Sequence, residues 1–387
     1  MLPYILLFLI IISFCLNNYG KCTEQPILEK WIPLVVVACF GGLRYQTGYD
    51  WQAYTTFFED IPINGVGGIL GADYDGSLSL EPGYYALNYI VKALGLPFEI
   101  VFIISAVFSV WTFGHLLGAI RCNAPLAILF YVGFSLILFH FSIVRQSIAV
   151  SFAFLACRSV IQGEKFFKVI SYILLGTLFQ VSALMYFPIL ALGHSRARFS
   201  ISPFAIPFVG LVATASYFDF SKLIVNFAAN NLGLDFFAKY DGYLSVEHSI
   251  SLATYGLLLL NVVTLLYISN QPNNSEKSER LTRLAEFSTL FLIMVIIIFP
   301  GNSSVWSRLM MFTATLQGMW FSSHNLLVSR SRAVSVTLIC ISVTFFIYSF
   351  SIYSNSDFLV PYQSIFHKYY LDTDSTNEFN TLEIMKQ

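Results

Sequence analysis

Apolar runs long enough to cross a bilayer recur from one end of this chain to the other. A helix needs about 20 apolar residues for the crossing, at 1.5 Å per residue. Crossings are read near 2–17, 28–43, 98–120, 124–141, 145–162, 166–178, 181–193, 201–217, 249–269, 284–300, 308–328 and 333–352, the two shortest adjoining each other at 166–193. In lipid every backbone N–H and C=O must be satisfied internally, which leaves little besides helices for segments of this length. Composition agrees: 56% of the 387 residues are hydrophobic and 11% charged, against about 25% charged in an ordinary soluble domain. The expected fold is therefore all-α, a polytopic integral membrane protein of about 12 transmembrane helices. A net charge of -1 excludes a general basic footprint for nucleic acid. The first run, 2–17, has no basic residue before it and no A-x-A after it, so it reads as a retained helix rather than a signal peptide.

The stretch 166–193 is anomalous. Lys165 and Lys168 precede it and Arg196 and Arg198 follow it. If both flanks face one side, the chain must turn back, with two short half-helices meeting near Phe179-Gln180. The alternative is one long tilted helix. With twelve crossings, thirteen of the 21 basic residues collect on one side, among them Lys21, Lys30, Arg121, Arg158, Lys277 and Arg330. The positive-inside rule makes that side cytoplasmic and puts both termini outside. The membrane domain then covers 1–352, with outer loops at 44–97 and 218–248 and an extracytoplasmic tail at 353–387. No P-loop and no G-x-G-x-x-G after a strand occurs. Function is therefore sought at the outer face.

Three arginines stand at outer helix ends: Arg44 in CFGGLRYQTGYDW, Arg145 in HFSIVRQSIAV and Arg308 in GNSSVWSRLMMF. Guanidinium beside hydrocarbon is costly and ordinarily faces a bundle interior or wet cavity, although snorkelling to the interface is an alternative. Its planar donors pair bidentately with phosphate oxygens and keep their charge. A diphosphate is thus the natural guest. Tyr45, Gln46, Tyr49, Asp50, Trp51 and Tyr54 follow Arg44; they suit stacking on sugar rings, or else form an interfacial aromatic belt. Glu81 precedes Pro82 and reads either as a carboxylate of the site or as a helix N-terminal group. His140 precedes Arg145 by five residues, and Gln180 lies at the proposed break. The six cysteines form no C-x-x-C and read as free thiols. Asp73 and Asp75 lack the glutamate that completes a calcium loop, and no metal or other cofactor is expected.

The ordered pieces GGLRYQTGYDWQAY, EPGYYALNYIVKALG, VRQSIAVSFAFLA, LFQVSALMYFPIL, SVWSRLMMF and VPYQSIF, spread over 41–366, resemble the EpsG/Wzy-type family of bacterial exopolysaccharide and O-antigen polymerases. The resemblance implies a glycosyltransferase C-like fold in the bacterial cytoplasmic membrane. It also implies a chain-elongating enzyme that moves a glycan from undecaprenyl diphosphate onto a lipid-linked oligosaccharide repeat unit at the outer face. A chain-length regulator and a flippase would be its protein partners. In that scheme Arg44, Arg145 and Arg308 bind the departing diphosphate. Tyr45, Tyr49, Trp51, Gln146, Gln180 and Ser182 contact substrate, and Asp50, Glu81 or His140 handles the acceptor proton. One departure is plain: the family commonly has His where this chain has Gln180, two positions before Ser182. The competing readings are a transporter of lipid-linked oligosaccharide and a non-catalytic subunit of a polysaccharide assembly complex.

Overall fold

The computed structural model describes residues 2–17, 27–48, 50–63, 81–195, 252–271, 275–299, 303–324, 342–343, 359 and 362–366. Among these residues the regular structure is helical, apart from an isolated antiparallel bridge between Arg44 and Ser364. The predicted crossing 201–217 lies outside the described residues, as does nearly all of 333–352. Two compact units are present, Met1–Leu190 with Gly318–Gln387 and, separately, Ala191–Gln317.

In the first unit α1 (Leu2–Asn17) and α2 (Ile27–Gly42) are followed by two short helices, α3 (Trp51–Asp60) and α4 (Pro82–Ala93). Then come α5 (Glu99–Leu117), α6 (Ala124–Leu136), which runs on as a π-helical turn over Ile137–Ser142, α7 (Val144–Gln162) and α8 (Phe166–Thr177). A 3₁₀ segment, Val181–Tyr186, leads into α9 (Phe187–His194). Helix α1 buries Tyr4, Leu7, Phe8 and Ile11 while exposing Leu2, Ile5, Leu6 and Leu9. A helix apolar on both its packed and its open face belongs in lipid. Helices α5, α7 and, in the second unit, the helix Glu276–Ile298 are each long and apolar enough to cross a membrane. The chain is an integral membrane protein.

Helix α7 packs on α5 and α8, and α2 packs on α5. Lipid supplies no hydrophobic drive between helices, so close approach through small residues and hydroxyl bonds takes its place. Ser109 of α5 meets Ser147 of α7 at 2.7 Å, and Ser151 donates to Ser109 at 2.9 Å. Gly176 of α8 lies so close to α7 that a Cβ there would stand 3.2 Å from the Ala149 carbonyl oxygen. Helix α7 ends at Gly163, whose φ of 72° is the left-handed conformation that glycine adopts freely.

The stretch 166–193 is broken near Phe179-Gln180, as the reading with two half-helices expects. Helix α8 stops at Thr177, and Gln180 is extended at φ -159°, ψ 119°. Phe166, first in α8, packs against Phe187, first in α9, at 6.2 Å between ring centroids. The chain therefore turns back on itself. At 1.5 Å per residue α8 is about 18 Å long, well short of a bilayer's hydrocarbon thickness.

The second unit contains α10 (Leu252–Ser269), α11 (Glu276–Ile298) and most of α12 (Ser303–Ser323). Ser275 caps α11 by accepting from the Ser278 N–H at 3.1 Å, and Glu276 and Glu279 occupy its first turn. Helix α11 begins eight residues before the apolar run predicts, because this capped, charged turn extends it out of the apolar stretch. A polar network ties the three helices: Gln317 donates to Asn261 at 3.1 Å and to Thr289 at 2.9 Å.

Candidate functional site

The start of α7, the start of α4 and the break after α8 meet at one place in the first unit. Arg145, one residue into α7, donates through Nη1 to Glu81 Oε2 at 2.8 Å; their side chains are 26% and 12% exposed. Pro82 opens α4 without needing an N–H partner. Glu81, at its N-cap position, makes no side-chain cap bond. Its other oxygen instead accepts the Val181 N–H at 3.3 Å, an orphan donor at the start of the 3₁₀ segment. The capping role that Pro82 suggests is therefore replaced by a clamp across three elements. Next to it the Gly83 N–H donates to the Leu178 carbonyl at 2.7 Å. A Cβ on Gly83 would sit 2.7 Å from that same oxygen, so glycine permits the approach.

Gln146 continues the clamp from the buried side. Its Oε1 accepts from Ser182 and its Nε2 donates to the Tyr186 hydroxyl. Gln180 Oε1 is buried and has no hydrogen-bond partner among the described residues. Five residues expected at the site, Glu81, Arg145, Gln146, Gln180 and Ser182, are thus gathered around the broken helix. Tyr54 of α3, buried, also hydrogen-bonds the Arg145 guanidinium.

Arg44 occupies a second node. It is completely buried. Its Nη1 donates to the carbonyls of Thr47 and, at 2.8 Å, Phe141, and its Cζ lies 4.0 Å from the Phe102 ring centroid. The rings of Phe141 and Trp51 stand at 5.4 and 5.7 Å; such faces attract cations strongly once water is excluded. Nε and Nη2 have no hydrogen-bond partner among the described residues. The chain reaches this arrangement through Gly48, at φ 117°. A Cβ there would stand 1.8 Å from the Phe141 oxygen and 2.2 Å from Arg44 Nη1. Tyr45 meets Trp51 edge-on at 5.6 Å. Asp50, just before α3, is near enough to act electrostatically on both Arg44 and Tyr54. Tyr54 is also coupled to Arg44, so it neighbours both arginines.

Three expected residues remain: His140, Arg308 and Tyr49. His140, buried in the π-helical turn, bonds through Nε2 to the Tyr131 hydroxyl at 2.8 Å and packs so tightly on Gly41 that a Cβ there would lie 2.8 Å from its own Cβ. Arg308 lies on α12 in the second unit. Tyr49, Asp73 and Asp75 lie outside the described residues. No group of three or more potential metal ligands exists among the described residues, and Cys15, Cys39, Cys122 and Cys157 are free thiols.

Phe102, Thr47 and Tyr186 are site neighbours that sequence reasoning does not single out. Each looks like ordinary membrane-helix or loop composition, and only its partner marks it. Comparison with curated proteins and with solved structures returns no match. Comparison with protein families does: residues 30–364 match the EpsG family. That stretch opens in α2, contains both nodes and ends on Ser364, the residue bridged to Arg44. The chain is a member of the EpsG family.

Proposed function

We propose that this protein is a glycosyltransferase that elongates a polysaccharide at the outer face of the bacterial cytoplasmic membrane, taking the growing glycan from undecaprenyl diphosphate. Membership of the EpsG family supports a polysaccharide polymerase role in general. The observation that carries the specific reading is Arg145, a partly exposed guanidinium fixed by Glu81 at the mouth of a broken helix. Fixed cations aimed at a leaving diphosphate stabilise charge as it develops and cost no reorganisation.

In this reading a hydroxyl oxygen of the acceptor sugar attacks the anomeric carbon of the donor glycan. The bond from that carbon to the diphosphate oxygen breaks, and its electron pair leaves on the lipid diphosphate beside Arg145. The hydroxyl proton passes to a carboxylate. Both Glu81 oxygens are engaged, so Glu81 holds the cation, and Asp50, which lies near Arg44 and Tyr54, takes the proton. Arg44, screened by rings, supports the field from behind through Tyr54. Gln180, in the place where the family commonly has His, offers a buried acceptor for a substrate hydroxyl. His140 packs rather than reacts.

The test is incubation of purified protein with lipid-diphosphate-linked repeat units alone. A ladder of products without nucleotide sugar or added metal is expected, and Arg145→Ala and Arg145→Lys should both sharply reduce it. Normal elongation by both variants would overturn the assignment of Arg145. Absence of a ladder with the active-membrane preparation as well as the purified protein would overturn the reaction.

A further inference from the structure

We propose that residues 362–366, with Leu359, are a built-in brace of the site that fixes the Arg44 guanidinium, and that Tyr362 and Gln363 are positioning residues. The segment runs antiparallel to residues 43–47: the Ile365 N–H donates to the Leu43 carbonyl at 2.8 Å and the Tyr45 N–H to the Gln363 carbonyl at 2.9 Å. The decisive feature is what these bonds hold. Arg44 Nη1 rests on two carbonyls, those of Thr47 and Phe141, and the brace secures both residues.

Thr47 is secured by Gln363, whose N–H donates to Thr47 Oγ1 at 3.1 Å. Phe141 is secured by aromatic packing. The Tyr362 ring lies 6.2 Å from that of Phe141 and stacks on Phe40 at 4.5 Å with planes 7° apart. Its hydroxyl donates to the Phe40 carbonyl at 2.9 Å. Tyr4 closes the cluster edge-on at 5.8 Å from Tyr362 and donates to the Leu359 carbonyl at 2.9 Å. Four rings and the two chain segments thus form a wall behind one cation. Without that wall both carbonyls that hold Nη1 are loosened, and a long cationic side chain tends to snorkel towards water.

The brace is read on Arg44 itself by the rate at which phenylglyoxal modifies it, mapped by mass spectrometry in the full-length protein, with Arg145 as reference. In the wild type and in Tyr362→Phe, which keeps the stacked ring, Arg44 should stay protected. In Tyr362→Ala and Ile365→Pro its modification should quicken by about tenfold or more, because protection tracks the free energy of local opening, while the Arg145 rate is unchanged. Protection of Arg44 in both of these variants would overturn the proposal. Amide hydrogen exchange in the wild type gives a check independent of any variant's folding. Slow exchange at Tyr45 and Ile365 is expected, and exchange at the rate of unstructured chain would also overturn it. A consequence for elongation, a fall in kcat for Tyr362→Ala restored in Tyr362→Phe, rests on the function proposed above. The modification rate does not, so a protein without polymerase activity would sink that reading and leave the brace standing.

Discussion

Glu81 distinguishes a clamp from a base, and a double-mutant cycle with Arg145 separates the two roles. Glu81→Gln preserves shape and removes charge. Breaking a fully buried ion pair from one side costs about 3–5 kcal/mol, whereas an exposed pair is worth about 0–1 kcal/mol. With side chains 26% and 12% exposed, this pair lies between those limits, and about 2 kcal/mol is the reasonable coupling. If the guanidinium works only when held, that energy appears in the transition state as roughly a 30-fold loss of kcat/KM for Glu81→Gln. Arg145→Ala should lose at least as much. The double variant should be no slower than Arg145→Ala alone, because with no cation to hold the clamp has no further effect on rate. The assay is elongation of lipid-linked repeat units at limiting substrate. Losses that multiply in the double variant would refute the clamp and make Glu81 an independent proton acceptor.

Among the described glycines Gly48→Ala should be the most damaging: its Cβ would stand 1.8 Å from the Phe141 oxygen and its φ of 117° suits no other residue well. Folded protein recovered by gel filtration should fall to traces. His140→Phe removes the bond to the Tyr131 hydroxyl at a cost of about 0.5–1.5 kcal/mol, seen as lowered thermal stability, yet the surviving protein should elongate normally; an inactive, well-folded variant would return His140 to the chemistry. Ser151→Ala removes the 2.9 Å bond to Ser109 and should cost only about 0.6 kcal/mol, the average for hydrogen bonds between membrane helices, as a slight drop in melting temperature. In the turn between α7 and α8, the hydrogen bond from Lys168, at 2.9 Å, holds the Glu164 carboxyl below its ordinary value of 4.5. A depressed carboxylate contributes stability that is complete above the ordinary value and fades as pH falls through the folded one. A small acid-side loss of thermal stability should therefore shrink in Lys168→Met.

Some features were local enough to read along the chain. The apolar runs position α1, α2, α5 and α7 to within a few residues, because a lipid environment demands continuous helix and admits few charges. Basic residues on both flanks of 166–193 favour a turn over one long tilted helix, and the chain breaks at 178–180. The pieces shared with the family follow from order alone and need no geometry.

Partnership was not local. Glu81 reads as the head of α4, yet it serves an arginine 64 residues away and an amide 100 residues away. Arg44 reads as an interfacial cation of the same kind as Arg145; packing buries one under rings and leaves the other partly open. Thr47 and Gln363 are joined across 316 positions. Loop-closure cost grows only logarithmically with separation, so distance along the chain says little about which groups meet. Hydropathy marked the chain as a membrane protein and located its long apolar helices. Tertiary packing chose the partners, because a buried polar group in a dry interior must be satisfied by whichever atom the fold brings near it.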